Sequence, residues 1–368
     1  MPKIRVLVVD DAVVMRRLVS DVLSRDPQIE VVGTAPNGRI ALQRIPQLNP
    51  DLVTLDVEMP ELDGVATVVE IRKTYRRLPI IMFSTVTQRG AVATLDALTS
   101  GANDYVAKPS NVGSVLEGIS RLQNELIPKI KALCPQFGVL TSLSGEAVSA
   151  VSLIRSSTTI RSPIVKPVGV VCIGSSTGGP TALAELIAGF AEPLQVPVVM
   201  VQHMPPIFTK MLAERLCKAS AMPCHEAEDR QLIKPGHIYL APGGRHMEIM
   251  REGGTVRAHL QDGPPENSCR PAVDVLFRSV VAVYGSAILG VILTGMGQDG
   301  KRGCEMIREL GGQVLAQNEA TSVVWGMPGA VVKAGLADAI LPISEIPFEI
   351  CRRTNAKQPI VNSLIHAN

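Results

Sequence analysis

The sequence predicts two α/β domains joined by a polar linker. Three observations carry this: a length of 368 residues, short apolar runs that recur between helical stretches, and a Ser/Thr-rich segment in mid-chain. Near-continuous apolar strands joined by helices imply parallel sheets covered on both faces.

The first run, residues 4–9, ends at Asp10-Asp11. Met15, Leu18, Val19, Val22 and Leu23 follow at helical spacing. Further strands are expected at 30–32, 52–55, 80–83 and 105–107, with helices between them. Five repeats make residues 1–125 a doubly wound, flavodoxin-like (βα)5 domain. Residues 126–166 read as a linker with a helical start up to Leu133. They hold seven serines, three threonines and five basic residues against one Glu. That charge is either a solvated run or a dock for an acidic partner.

Residues 167–368 alternate again. Strands are expected at 168–173 and 196–201, with helices opening near Gly179-Pro180 and Pro206. The stretches 238–240, 246–250 and 255–260 are short and separated by Gly243-Gly244 and Gly253-Gly254. They read as an antiparallel insertion. Alternation resumes at Val273, with a buried strand at 287–293, so the second domain is also doubly wound α/β.

Composition excludes several classes. Lys+Arg total 36 against 34 Asp+Glu, and aromatics are 3%, which argues against a nucleic-acid partner. No apolar run approaches the ~20 residues of a membrane span, and the N-terminus does not read as a signal peptide. Seven scattered cysteines without a CxxC pair fit a reducing cytoplasm. A cytoplasmic monomer without membrane insertion is expected.

Asp10, Asp11 and Asp56 stand at ends of expected strands, as do Ser84 and Lys108. In a parallel sheet these ends converge on one crevice. Clustered carboxylates without His or Cys suit a hard cation such as Mg²⁺, and Lys108 suits a phosphoryl group or Asp56. The alternative is that each aspartate caps the helix after it. The LDVEMPELDG stretch around Asp56, together with Asp10-Asp11, Ser84 and Ala107-Lys108-Pro109, resembles the receiver domain of two-component response regulators. The resemblance implies that Asp56 accepts a phosphoryl group from a histidine kinase. It implies Mg²⁺ on Asp11, Asp56 and the Glu58 carbonyl with Asp10 in support, phosphoryl contacts from Ser84 and Lys108, and Tyr105 as the switch aromatic.

In the second domain Gly174-Ser175-Ser176-Thr177-Gly178-Gly179 joins a strand to a helix. It reads as a phosphate-binding turn, a plain glycine turn, or a nucleophile turn, since Gly174-x-Ser176-x-Gly178 is GxSxG. A serine nucleophile needs a base and a group that orients it. His203 ends the next expected strand, and Asp299 lies among glycines after the strand at 287–293. Taken singly, His203 is a satisfied histidine and Asp299 a helix cap. The order Ser176, His203, Asp299 differs from that of α/β-hydrolases.

The stretches IGSSTGGP (173–180), VQHMPP (201–206), IYLAPGGRHMEI (238–249), CRPAVDVLF (269–277), TGMGQDG (294–300) and AQNEATSVVWGMPGAVV (316–332) resemble chemotaxis-specific protein-glutamate methylesterases. The resemblance implies Ser176, His203 and Asp299 as catalytic residues, the N–H groups near Thr177 and Met296 as oxyanion donors, and no cofactor in this domain. It implies methylated chemoreceptor cytoplasmic domains as substrates, with deamidation of receptor glutamines as a second activity. Ser175 stands where the family commonly has Ala and is a competing hydroxyl. Arg245 and Arg270 would attract acidic receptor helices or form surface salt bridges. The rival reading is a response regulator whose second domain is a non-catalytic partner-binding module. A DNA-binding output domain finds no recognition-helix module.

Overall fold

A computed structural model describes residues 2–109, 115–135 and 167–354. The expected linker, apart from its helical start, lies outside them. The N-terminal domain runs β1 (Ile4–Val9), α1 (Val13–Ser24), β2 (Ile29–Ala35), α2 (Gly38–Leu48), β3 (Leu52–Asp56), α3 (Gly64–Thr74), β4 (Ile80–Ser84), α4 (Gln88–Thr99), β5 (Asp104–Ala107) and α5 (Val115–Leu133). Its sheet order is β2-β1-β3-β4-β5, with all pairs parallel. Every residue of β3 and β4 is buried, as a sheet covered on both faces requires. Asn37, Asp63 and Thr87 cap α2, α3 and α4 through their side chains. Asp56 is therefore not needed as the cap of α3, whereas α1 has no side-chain cap at Ala12 and Asp10 Oδ1 accepts from the Ala12 N–H at 2.9 Å. Helix α5 continues past residue 125 because Leu126, Ile130 and Leu133 pack with Ile4, Val22 and Leu23 of the first domain.

The second domain runs β6 (Val170–Ser175), α6 (Gly179–Ala188), β7 (Val198–Gln202), α7 (Phe208–Ala219), β8 (Cys224–Glu226), β9 (Ile238–Leu240), β10 (His246–Glu252), β11 (Thr255–Gln261), α8 (Val273–Tyr284), β12 (Ile288–Ile292), α9 (Lys301–Glu309), β13 (Gln313–Gln317), α10 (Met327–Lys333), β14 (Ala339–Leu341) and α11 (Ile346–Arg353). Seven strands form one parallel sheet in the order β14-β13-β12-β6-β7-β9-β8.

The antiparallel insertion is β10 and β11 alone. Residues 238–240 were expected in it and belong instead to the large sheet, parallel to β7 and β8. Three residues hold no period that separates the two cases, and full burial of Ile238, Tyr239 and Leu240 decides for the central sheet. No helix among the described residues is long and apolar enough to cross a membrane.

The domains meet along α4, β5 and α5 of the first and α6, α7 and the turn after β6 of the second. Tyr105 stacks on Phe208 at 4.7 Å between ring centroids. Arg215 pairs with Asp96 at 2.7 Å. Thr177 Oγ1 donates to Asp104 Oδ2 at 2.7 Å.

Candidate active site

In the first domain the strand ends bring together what the sequence placed there. The carboxylates of Asp10, Asp11 and Asp56 have ligand atoms within 4.8 Å of one another. Lys108 Nζ lies 2.7 Å from Asp56 Oδ2 and 2.9 Å from Asp10 Oδ2. Burial raises the Asp56 pKa and the Asp10 charge adds to it. Lys108 and the Glu58 N–H pull it back, leaving it at about 6. Burial lowers the Lys108 pKa, but its bonds to Asp56 and Asp10 outweigh this and leave it raised. One lysine leaves two of the three carboxylate charges uncompensated, so the donor set fits a hard divalent cation.

Ser84, expected to contact the phosphoryl group, points elsewhere, and the Glu58 side chain, of which only the carbonyl was expected at the cation, faces away. Ser84 Oγ donates to the carbonyls of Gly90 and Thr85. The Glu58 carboxylate pairs with Arg89 at 3.4 Å. Tyr105 is buried in the domain interface, where Lys129 Nζ donates to its carbonyl at 2.6 Å.

In the second domain the neighbouring strands β12, β6 and β7 end in one crevice, where the strand order reverses direction. Asp299 follows β12, Ser176 follows β6 and His203 follows β7. The turn holding Ser176 is tied to its surroundings through the main chain. Its N–H donates to Thr294 O at 3.0 Å, and its carbonyl accepts from Gly179 N–H and Gln202 Nε2. A Cβ on Gly295 would stand 2.8 Å from Ser176 Cβ, so only glycine lets the 294–300 loop approach the turn this closely.

The two serines have different surroundings. Ser175 ends β6, is 0% exposed, and donates to Gln202 Oε1 at 2.7 Å. Ser176 is half-buried and lines a cleft of about 1000 Å³ together with His203, Cys269 and Met296. Tyr105, Asn124, Glu125 and Lys129 of the first domain form part of the same cleft's wall.

His203 Nε2 and Asp299 Oδ2 are 2.8 Å apart. Asp299 is 3% exposed and also accepts from the N–H groups of Val273, Asp274 and Gly300 and from Asn267 Nδ2. Val273 and Asp274 open α8, so the carboxylate sits at the positive end of that helix. Burial opposes its charge. The His203 bond and these N–H donors outweigh burial and hold its pKa at about 2. Burial lowers the His203 pKa, but the bonds to Asp299 and Cys269 prevail and raise it.

Ser176 Oγ makes no hydrogen bond to His203. The imidazole Nδ1 lies 3.5 Å from Cys269 Sγ instead. The backbone N–H groups of Thr177 and Met296 carry no bond to other described residues. Arg245 pairs with Asp262 at 3.0 Å, and Arg270 donates to the carbonyls of Asp262 and Gly263.

Residues 6–120 match the response regulator receiver domain, and residues 171–350 match the CheB methylesterase. A protein-glutamate methylesterase/protein-glutamine glutaminase of Trichodesmium erythraeum is 55% identical, covering 96% of this chain and 99% of that one. The chain belongs to this methylesterase family. A relative of the same description from Nocardioides is 54% identical over 98% of each chain. The catalytic domain of Thermotoga maritima CheB is 42% identical with a TM-score of 0.49, covering 50% of this chain and 98% of that one.

Within the methylesterase domain, sequence reasoning missed Gln202, Asn267, Cys269 and Asp274, all of which touch Ser175, Ser176, His203 or Asp299. Gln202 stands beside His203 in the VQHMPP stretch, where its place at a strand end is the signal that could have found it. The other three come from a turn and a helix start with no strand pattern to flag them.

Proposed function

We propose that this phosphorylation-activated methylesterase hydrolyses glutamate γ-methyl esters on the cytoplasmic domains of chemoreceptors through Ser176, His203 and Asp299. The buried His203–Asp299 pair, opening onto the cleft that holds Ser176, carries this reading. Ser176 Oγ attacks the ester carbonyl carbon and its proton passes to His203 Nδ1, the ring nitrogen not taken by Asp299. The oxyanion takes the free N–H groups of Thr177 and Met296, where one well-placed donor contributes about 3 kcal/mol. Collapse of the adduct breaks the C–O bond, and Nδ1–H protonates the departing methanol. Water attacks the acyl-enzyme with His203 again as base, releasing glutamate and Ser176. A receptor glutamine follows the same route with ammonia leaving.

Asp56 is the phosphoacceptor in this reading. Its carboxylate oxygen attacks the phosphorus of the kinase's phosphohistidine, and the P–N bond breaks. Asp11, Asp56 and the Glu58 carbonyl would hold Mg²⁺ with Asp10 in support, and the ion supplies neutralisation of phosphoryl charge. Lys108 gives a further positive charge at the same oxygens. Ser84 reaches the phosphoryl group after leaving Gly90 O.

The gate is the contact between the domains. Asp104 accepts from Thr177, which adjoins the nucleophile, and is paired with Lys129 at 3.2 Å. Phosphorylation that repacks Ser84, α4 and Tyr105 loosens this contact, a shift limited by the interface energy lost.

Methanol release from methylated receptor fragments tests the reading. Release is expected to rise when Mg²⁺ and a small acyl phosphate are added. In Asp56→Asn that rise disappears while basal release remains. A wild-type enzyme that releases methanol equally with and without the phosphodonor removes the gate. A folded wild-type enzyme that releases none from several receptors favours the non-catalytic module. Asp104→Ala is expected to raise unphosphorylated release about tenfold, the worth of one hydrogen bond to a charged group. Unchanged basal release in that variant would show that Asp104 holds nothing shut.

A further inference from the structure

The turn at residues 266–269 belongs to neither sheet, yet it touches both members of the proposed acid–base pair. Glu266 N–H donates to Cys269 O at 3.1 Å and Cys269 N–H to Glu266 O at 2.9 Å, closing a two-residue hairpin. Its central residues, Asn267 and Ser268, have φ of 52° and 62°. Asparagine tolerates this left-handed geometry better than most residues. The turn is rooted in α8, because Arg278 holds both oxygens of Glu266 at 3.1 and 2.9 Å.

From this root the Asn267 amide spans two buried carboxylates. Its Nδ2 donates to Asp299 Oδ1 at 2.8 Å and to Asp274 Oδ2 at 2.9 Å. Both amide protons are used, and each goes to an oxygen that only accepts when ionised. Asp274 is 2% exposed, and its other oxygen accepts from Gly303 N–H at 2.8 Å. Two carboxylates this close repel, and burial adds to the cost. A shared donor offsets both. It also fixes the rotation of Asp299. Oδ1 is committed to Asn267, Asp274 N–H and Gly300 N–H, which leaves Oδ2 facing His203 and Val273 N–H.

We infer that Asn267 is a positioning residue for the His203–Asp299 pair, holding Asp299 ionised and turned toward the imidazole across its contact with Asp274. The inference rests on the proposed roles of His203 and Asp299. The charged and titratable groups around the amide are Asp274 and Asp299, His203 and Cys269 beyond them, and Glu266 with Arg278 at the root of the turn.

Asn267→Gly tests it, because glycine keeps the left-handed φ and removes only the amide. Asn267 is otherwise solvent-exposed, so the core is left intact. Ser268→Gly is the control, easing the neighbouring φ while keeping the amide. Methanol release is measured across pH, with kcat and KM separated. For Asn267→Gly, kcat is expected to fall about 10- to 100-fold with KM little changed, the cost of a loosened reacting geometry. With Asp299 no longer held ionised and turned toward the imidazole, its hold on the imidazolium weakens, so the acid limb of the kcat/KM profile moves to lower pH. Ser268→Gly is expected to match wild type. An Asn267→Gly enzyme with wild-type kcat and acid limb overturns the inference. So does equal loss in both variants with an unmoved acid limb, which makes the turn a backbone element only. Activity surviving Ser176→Ala would instead fail the reading of the catalytic residues, a result separable from either.

Discussion

Ser176→Ala is expected to lower kcat for methanol release by about 10⁴-fold or more, whereas Ser175→Ala keeps turnover near wild type. Removing a serine nucleophile leaves only binding and oxyanion contacts, which elsewhere accounts for losses up to about 10⁶. The adjacent hydroxyls have opposite surroundings. Ser175 is buried at the end of the central strand β6 with its proton on Gln202 Oε1. Ser176 faces the cleft and makes its own turn bonds through the main chain. Losing the Ser175 hydroxyl leaves Gln202 Oε1 short of a donor and costs about 1 kcal/mol, read as a Tm lower by about 2–4 °C for a domain of this size. Equal kinetic losses in the two variants, or Ser176→Ala within tenfold of wild type, would remove the nucleophile assignment.

The receiver site was legible because five of its residues stand at strand ends, and a parallel sheet gathers its strand ends on one side. Asp10, Asp56 and Lys108 meet there for that reason alone. Ser176, His203 and Asp299 were found in the same way, since each follows one of three adjacent strands. The choice of Ser176 over Ser175 comes from the GxSxG spacing and the family resemblance, and the end of β6 adds a physical difference between them. The apolar pattern placed that end at 173, while the ladder continues through Ser175 paired with Gln202.

Contacts that depend on docking were not legible. Asp104 and Thr177 are far apart in sequence, and neither pattern nor spacing shows that one accepts a hydrogen bond from the other. The same holds for Asn267 and Asp274, which acquire meaning only when the loop after β12 brings Asp299 to the start of α8. The orientation of β9 and the existence of β8 escaped because three-residue strands fall below the length at which alternation is informative.

Asp299→Asn is expected to lower kcat/KM about 10⁴-fold at neutral pH and to move the acid limb of the profile to lower pH. Asp299 accepts from five donors, including His203 Nε2. An asparagine must turn its NH₂ toward some of them, so either the main-chain donors or the imidazole lose their acceptor. The tautomer with a free Nδ1 is then no longer selected. The base works only with Nδ1 unprotonated, so activity rises as pH passes the His203 pKa. Burial lowers that pKa and the bonds to Asp299 and Cys269 raise it further than burial depresses it. Removing the Asp299 charge therefore lowers it, and the surviving activity extends to lower pH. The shift runs in the same direction as that expected of Asn267→Gly and is larger. Loss of folding does not imitate it. The depressed pKa of Asp299, about 2, means that its contribution to stability is present above the unfolded value near 4 and is lost only as pH falls toward 2. The raised pKa of His203 places its charging, and with it the fall of wild-type rate, well above that acid range. An Asp299→Asn enzyme that loses rate with its acid limb unmoved would show that Asp299 supports the fold of the α8 start without governing the imidazole.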